Sequence, residues 1–535
     1  MKPYLLILSL LAIGVPTAPA MPLNTSLSAL APSPELSAII KKKTKRKLSK
    51  TKKGKQVPEQ PSDSTAESLA AAATSPTSAD SSPSAHKKSY QDFLSRLNEK
   101  AKAGDLDISE ALAVMLAATG DEFSQAQWLE QAAKDGNPIG MHYLGMTKAA
   151  QNAAPELRYL RGNERAELLK KQQEGAADAI KWLKKAAELK YTPAMLDYSV
   201  FLRMGIGTQK NENAAKRMML EAAKSGNFDT RFSWLLQNQR LTCWEDKDRP
   251  EVAGEINRNN HQVIYYLSQF APDSSTQLEW LTRAATQNGA AMFALSSISH
   301  KNDPALSLKL LKTAVALHDP GAMFVYGSLL VAPPGEFNAK TGLQQNTALG
   351  VNMIRLACMQ GNSAARRALS RAYYRGDFGL KQDKQKAYKH IKWLNSAQKD
   401  HIALAAQGFM LLVGEGTQQD IETGKRYISL AANDGYSYAL VMMAYAHYKG
   451  LGTQKNPEQA IELLQEAAAT GFPHAYIYIA FLSAKGLHGQ EPDLRNAERY
   501  VNIASLNLGN QAKVFFDSLM QQSDWTISPF PLEKQ

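Results

Sequence analysis

From Tyr90 onward, apolar residues return at helical rather than alternating spacing. Phe93, Leu94 and Leu97 share one face of a first helix, and Ile108 to Leu116 carry a second. One helix type then recurs. Trp182-Leu-Lys-Lys-Ala186-Ala187 aligns with Met219-Leu-Glu-Ala222-Ala223, Leu281-Thr-Arg-Ala284-Ala285, Leu430-Ala431-Ala432 and Glu466-Ala467-Ala468. The steps from Ala186 to Ala222 and from Ala431 to Ala467 are both 36 residues. Each Ala pair leads to a helix stop and small-residue restart, as at Gly136, Gly226, Gly289, Gly361, Gly435 and Gly471. The next helix, for example Ala439 to Tyr448, ends in a loop of the form Gly450-Leu-Gly452, after which Pro457 opens its successor. A small Ala at the crossing and a bulky Trp, Tyr or Leu on the flanking turn let two antiparallel helices pack closely, and stacked pairs bury one continuous core. The pattern predicts an all-α array over residues 89–520. Irregular segments are expected at 151–177, which is charged and rich in Gln, Glu and Arg, and at 227–275. A C-terminal tail, 521–535, follows.

Before Tyr90 this periodicity is absent. Met1-Lys2 and an apolar stretch from Tyr4 to Val15 lead to Ala18-x-Ala20, which suits a signal peptidase, so residues 1–20 are expected to be a removed signal peptide. The apolar run is too short for the roughly 20 residues a spanning helix needs, and no later segment is long and apolar enough. An exported product, periplasmic or secreted, with no integral membrane segment after signal removal, is the expectation. Residues 21–88 are polar, Pro-broken and low in complexity, and they predict a disordered tether.

Charge sharpens this division. The net charge of +12 is concentrated in Lys41 to Lys55, where ten residues are Lys or Arg and none is acidic. Lys41, Lys42, Lys43, Lys45, Arg46, Lys47, Lys52 and Lys53 are the candidates for contact with an anionic envelope or host surface. No aromatic is interleaved, so nucleic acid is not an expected partner. Cys243 and Cys358, the two cysteines of the chain, form neither a C-x-x-C pair nor a zinc spacing, and both are expected to be buried or free.

The recurring positions resemble the Sel-one-like repeat, a relative of the tetratricopeptide repeat. The fullest copy is Ala439-Leu440, Tyr448, Gly450, Gly452, Asn456, Ala460, Leu463-Leu464, Ala467-Ala468 and Gly471; a second runs from Ala194 to Gly226. The resemblance implies a right-handed α-solenoid of stacked antiparallel helix pairs. It also implies a non-catalytic scaffold or adaptor that binds a protein or peptide on its concave face, in envelope assembly, signalling or host interaction. Some cysteine-rich relatives are linked to β-lactam hydrolysis, which makes a cell-wall or β-lactam hydrolase the disfavoured alternative, since the paired cysteines are missing here. A tail-driven binder of an anionic surface is a further alternative.

Candidate chemistry is thin. Gly205-Ile-Gly-Thr-Gln-Lys210 and Gly450-Leu-Gly-Thr-Gln-Lys455 hold the residue types of a phosphate loop, but a loop repeated once per unit is an interhelix turn. Ten histidines include no H-E-x-x-H and no ligand-spaced cluster, so no catalytic residue, metal or cofactor is expected. Two surface features stand out as partner-binding candidates. Arg367, Arg371 and Arg375 share one helix face with Tyr374 beside them. Like charges at that spacing repel mildly, which points to an acidic ligand or a compensating acidic neighbour. Tyrosines also cluster near the C-terminal end, with Tyr438, Tyr445 and Tyr476 as groove candidates, since aromatic residues with a polar tip are favoured in binding sites.

Overall fold

The computed structural model describes residue 130 and residues 132–151, 162–224, 228–397, 400–487 and 491–530. The expected signal peptide, the tether with its basic run, and the first helices from Tyr90 to Leu116 lie outside the described residues. So does residue 131, along with the short stretches 152–161, 225–227, 398–399, 488–490 and 531–535. The described residues are helical, without a strand. They form an all-α solenoid of stacked helix pairs and divide into two compact units at Arg366/Arg367.

The first unit contains α1 (Pro138–Gln151), α2 (Gly162–Glu188), α3 (Thr192–Met204), α4 (Glu212–Lys224), α5 (Phe228–Gln237), α6 (Pro250–Asn257) and α7 (His261–Ser268). It continues with α8 (Ser274–Ala284), α9 (Gly289–Ser299), α10 (Pro304–Ala316), α11 (Pro320–Val331), α12 (Glu336–Thr341) and α13 (Thr347–Met359). Within α14 (Ser363–Arg375) the second unit begins. It adds α15 (Lys384–Ala397), α16 (His401–Val413), α17 (Ile421–Asn433), α18 (Ser437–Lys449) and α19 (Pro457–Ala469). The last helices are α20 (His474–Lys485), α21 (Leu494–Leu508) and α22 (Gln511–Met520).

Each recurring sequence position has a physical task. The Ala pairs lie at helix crossings: Ala186, Ala222, Ala284, Ala431 and Ala467 are fully buried, and nothing larger fits where the axes approach. The Asp or Asn before each second helix is its N-cap. Asn346, Asp420, Asn456 and Asp493 each accept a hydrogen bond from the backbone N–H three residues on, satisfying one donor that the first helical turn leaves open. The stops at Gly136, Gly361, Gly435 and Gly471 adopt the left-handed conformation. Lys190 and His318 adopt it at equivalent stops without glycine. At Gly289 the expected stop is instead a start: Asn288 caps α9, and Gly289 is its first residue.

The Gly-x-Gly loops are interhelix turns. Gly414 ends α16 in the left-handed region, and Gly416, also at positive φ, lies against the backbone carbonyl of Lys384 at the start of α15, where a Cβ would collide. The loop is filled by the chain itself.

The two expected irregularities differ. Residues 162–177 run unbroken into α2, a helix of 27 residues. Between 228 and 275 the helices are short, α5 having 10 residues and α6 and α7 having 8 each, and a 3-10 turn at Trp244–Asp248 is inserted. Here buried Glu255 centres a polar network: Arg231, Arg258 and Asn260 all hydrogen-bond its carboxylate. A buried charge needs such a set of partners. Neither Cys243 nor Cys358 is in a disulfide.

A candidate peptide groove in the second unit

The first helices of the pairs in the second unit, α14, α16, α18 and α20, present one face to the segment that follows α22. Gln521 to Phe530 has no regular structure and lies along these four helices. It is far from a free tail. Trp525 is fully buried, and Phe530 is 7 % exposed.

Three contact points hold it. At the first, Tyr448 donates its hydroxyl hydrogen bond to Asp524 Oδ1 at 2.7 Å, and Lys449 Nζ pairs with Asp524 Oδ2. Burial alone would raise the Asp524 carboxyl. The hydrogen bonds from Lys449, Tyr448 and the Trp525 backbone N–H outweigh it and hold the group below the usual carboxylate range. Tyr448 is pushed up, by burial first and then by its hydrogen bond to Asp524.

At the second point the Trp525 ring enters a cage of tyrosines. Tyr445, Tyr448 and Tyr478 surround it at centroid distances of 5.6, 5.4 and 5.7 Å, the first two edge-on. Such geometries are favourable between aromatic quadrupoles. Burial pushes Tyr478 up to about 12, opposed by the neighbouring Tyr438 hydroxyl. The Trp525 indole nitrogen is buried with no hydrogen-bond partner among the described residues.

The third point takes Phe530. Its ring packs on Ile391, Leu394, Ala403 and Ala406 and meets the Tyr374 ring edge-on at 5.6 Å. The backbone is gripped as well: buried Tyr438 donates to the Ser528 carbonyl at 2.8 Å, and Arg375 reaches the Phe530 carbonyl at 3.5 Å. Tyr374 is oriented by Glu415, whose carboxylate accepts from the Tyr374 hydroxyl at 2.5 Å and from Lys384 at 2.8 Å.

The structure thus brings Tyr374, Arg375, Tyr438 and Tyr445 together on one surface and separates the other candidates from it. Arg367 is paired with Asp400 at 2.6 Å; the same carboxylate caps α16 by accepting from the Ile402 and Ala403 amides. Arg371 lies half-buried between Arg367 and Arg375. Tyr476 stacks on Tyr500 of α21 at 6.1 Å, on the side where the two helices pack. The lysines and arginine of the basic run, from Lys41 to Lys53, lie outside the described residues. Asp400, Glu415, Asp524, Trp525 and Phe530 were not candidates in the sequence. The signal for the last three was the presence of two large aromatics in a supposed tail, where solvent-exposed aromatic surface would be costly.

In the first unit His142 and Asp197 form a buried pair, with Nε2 and Oδ2 2.7 Å apart and side chains 1 % and 4 % exposed. Burial raises the Asp197 carboxyl, against the His142 hydrogen bond. The pair is sealed among helices and touches Tyr191 edge-on, an arrangement for packing rather than for meeting a substrate. Among the described residues no group of His, Cys, Asp and Glu could hold a metal ion. No described helix is long and apolar enough to cross a membrane.

A family model for the Sel1 repeat matches at residues 126–137, 158–191, 192–227, 363–392, 401–436 and 437–472. The second match takes in most of the 151–177 segment that was expected to interrupt the array. Among solved structures, the chain is similar to a protective antigen present in uropathogenic Escherichia coli strains and displaying an SLR fold. That match has 19 % identity over 80 % of this chain and 90 % of that one, with a TM-score of 0.39. It is also similar to a Sel1 repeat protein from Oxalobacter formigenes, with 23 % identity over 48 % of this chain and 97 % of that one and a TM-score of 0.34. No curated protein matches.

Proposed function

We propose that this chain, whose Sel1 repeats belong to a helical class that generally mediates protein–protein interaction, is an exported, non-catalytic scaffold that holds a segment of a partner protein. The surface for this work is the face of α14, α16, α18 and α20. One observation carries the reading: this face already holds a peptide segment without regular structure, Gln521–Phe530, by contacts to both its backbone and its side chains. Tyr438 and Arg375 bind backbone carbonyls, and Lys449 binds a carboxylate. Phenolic and cationic donors on rigid helices give orientation, while the tyrosine cage and the Ala403/Ala406 floor supply the apolar burial. Export rests on the apolar run from Tyr4 to Val15 and its Ala18-x-Ala20 end.

The test is crosslinked capture from intact cells of the source organism, with the wild-type chain and an Arg375→Glu/Lys449→Glu variant compared by mass spectrometry. Partners taken by the wild type and lost by the variant are expected, with crosslinks on α14 or α18. An identical partner set from both chains sinks the reading.

A further inference from the structure

The groove of the second unit is filled in this structure, and its filling states what the groove recognises. Resting on the scaffold reading above, we propose that Gln521–Phe530 is a displaceable resident ligand. On this proposal the partner is a protein segment of the same chemistry: an acidic residue directly before a Trp, and a second aromatic about five residues on.

Complementarity is the first support. The acidic position meets one cation and one phenol, Lys449 and Tyr448; the Trp enters three tyrosine rings; the second aromatic meets Tyr374 and an aliphatic floor. Each pocket stands on a first helix of a repeat, so the spacing between pockets is set by the stacking of rigid elements rather than by the segment itself. Tyr374 and Tyr448 occupy the same place in their repeats, two residues before the loop glycines Gly376 and Gly450. The equivalent positions on α16 and α20 carry Leu412 and Ala484, so the phenols that shape the pockets belong to particular repeats.

Displaceability is the second support. The resident is attached by side chains, not by a ladder of backbone pairs. Within 523–530, the Trp525 N–H bonds to the adjacent Asp524 side chain and the Phe530 N–H to the nearby Ser528 hydroxyl. Ser523 and Thr526 face solvent, and Asp524, Ile527 and Ser528 are half-buried. The buried Trp525 indole N–H lacks a partner, so the resident leaves a polar group unmatched that a competitor positioned slightly differently can satisfy. A segment tethered to the same chain acts at high effective concentration, which makes it a threshold: weak or mismatched peptides fail, and a matching one with better contacts displaces it.

The probe is a synthetic fluorescein-labelled peptide of the sequence QQSDWTISPF, measured by fluorescence anisotropy against the full chain. In a Trp525→Ala/Phe530→Ala chain the resident loses both anchors, and the peptide should bind, at least about tenfold more tightly than to the wild type. Adding Lys449→Glu should abolish that binding and restore it for a peptide carrying Lys in place of the aspartate, a rescue that general loosening would not produce. A folded double variant that binds the peptide no better than the wild type does overturns the proposal.

A second measurement stands if the double variant fails to fold. On the isotope-labelled wild-type chain, excess unlabelled peptide should accelerate amide exchange in residues 521–530 and leave α18 unchanged. Exchange there that is as slow as in α18 and insensitive to the peptide overturns the proposal as well. If the peptide fails in both assays while cellular capture still depends on Arg375 and Lys449, the inference falls and the scaffold reading stands. If capture also ignores those residues, both fall.

Discussion

Glycine to alanine in a helix interior ordinarily stabilises, because Ala is favoured there by about 0.8–1.0 kcal/mol. In α16 the sign should reverse. A Cβ built on Gly408 lies 2.8 Å from the Gly424 carbonyl oxygen, 2.9 Å from Tyr427 Cβ and 3.0 Å from Ile428 Cγ1, atoms of α17 that have no soft torsion by which to retreat. The helices must part locally, and overpacking of this kind costs about 1–3 kcal/mol. The favourable propensity offsets part of this, leaving Gly408→Ala destabilised by up to about 2 kcal/mol. Gly254 in α6 is the control: a Cβ there meets only the mobile end of Arg258, at 3.6 Å, so Gly254→Ala should gain about 0.5–1 kcal/mol. Urea denaturation followed by far-ultraviolet circular dichroism gives both shifts as displaced midpoints at unchanged slope. The consequence reaches the groove, since α16 carries Ala403 and Ala406 beneath Phe530. A Gly408→Ala midpoint raised as much as that of Gly254→Ala would show that the crossing tolerates separation and refute the close-packing argument.

Asp524 is held below its ordinary value of 3.8 by its partners, so it contributes to docking fully above that pH and less as pH falls through the lowered value. Amide exchange in 521–530, followed from about pH 5 down to about pH 3, should therefore rise relative to α18 more in the wild type than in Asp524→Asn; equal rises in the two chains would exclude the carboxylate as the cause. Cys243 is half-exposed and Cys358 fully buried, both without a disulfide. Titration with a chromogenic disulfide reagent should find one thiol reacting in the native chain and the second only in denaturant, whereas no reactive thiol after unfolding would mean that the two are bridged.

Much of the fold was legible because a repeat states its rules many times over. Ala186, Ala222, Ala431 and Ala467 marked the crossings, and Asn456 marked a helix start, through local physics that acts within a few residues. The groove was half legible. Tyr374, Arg375, Tyr438 and Tyr445 lie on helices whose facing the periodicity defines, and they do converge. What fills the groove was illegible, because Tyr438 reaches Ser528, and Lys449 reaches Asp524, across separations of 90 and 75 residues in a segment with no periodicity of its own. Arg367 shows an intermediate case. The repulsion along its helix implied a compensating acid, yet naming Asp400 needed the stacking distance between successive repeats. The two segments expected to be irregular differ: the charge density of 151–177 suggests disruption, yet Glu, Lys and Gln are good helix formers and 162–177 lie within one helix. The chain near Glu255, by contrast, has short helices and an inserted 3-10 turn, and a polar network stands beside its apolar core.

The helix caps have a further consequence. Asn346, Asp420, Asn456 and Asp493 each bind an amide only three residues away, so the signal that begins a helix travels with that helix. A repeat gained or lost in one genetic event therefore brings or takes its own caps with it. Length then becomes a readily inherited variable of this architecture, while the groove, whose tyrosines stand on particular repeats, does not multiply with it.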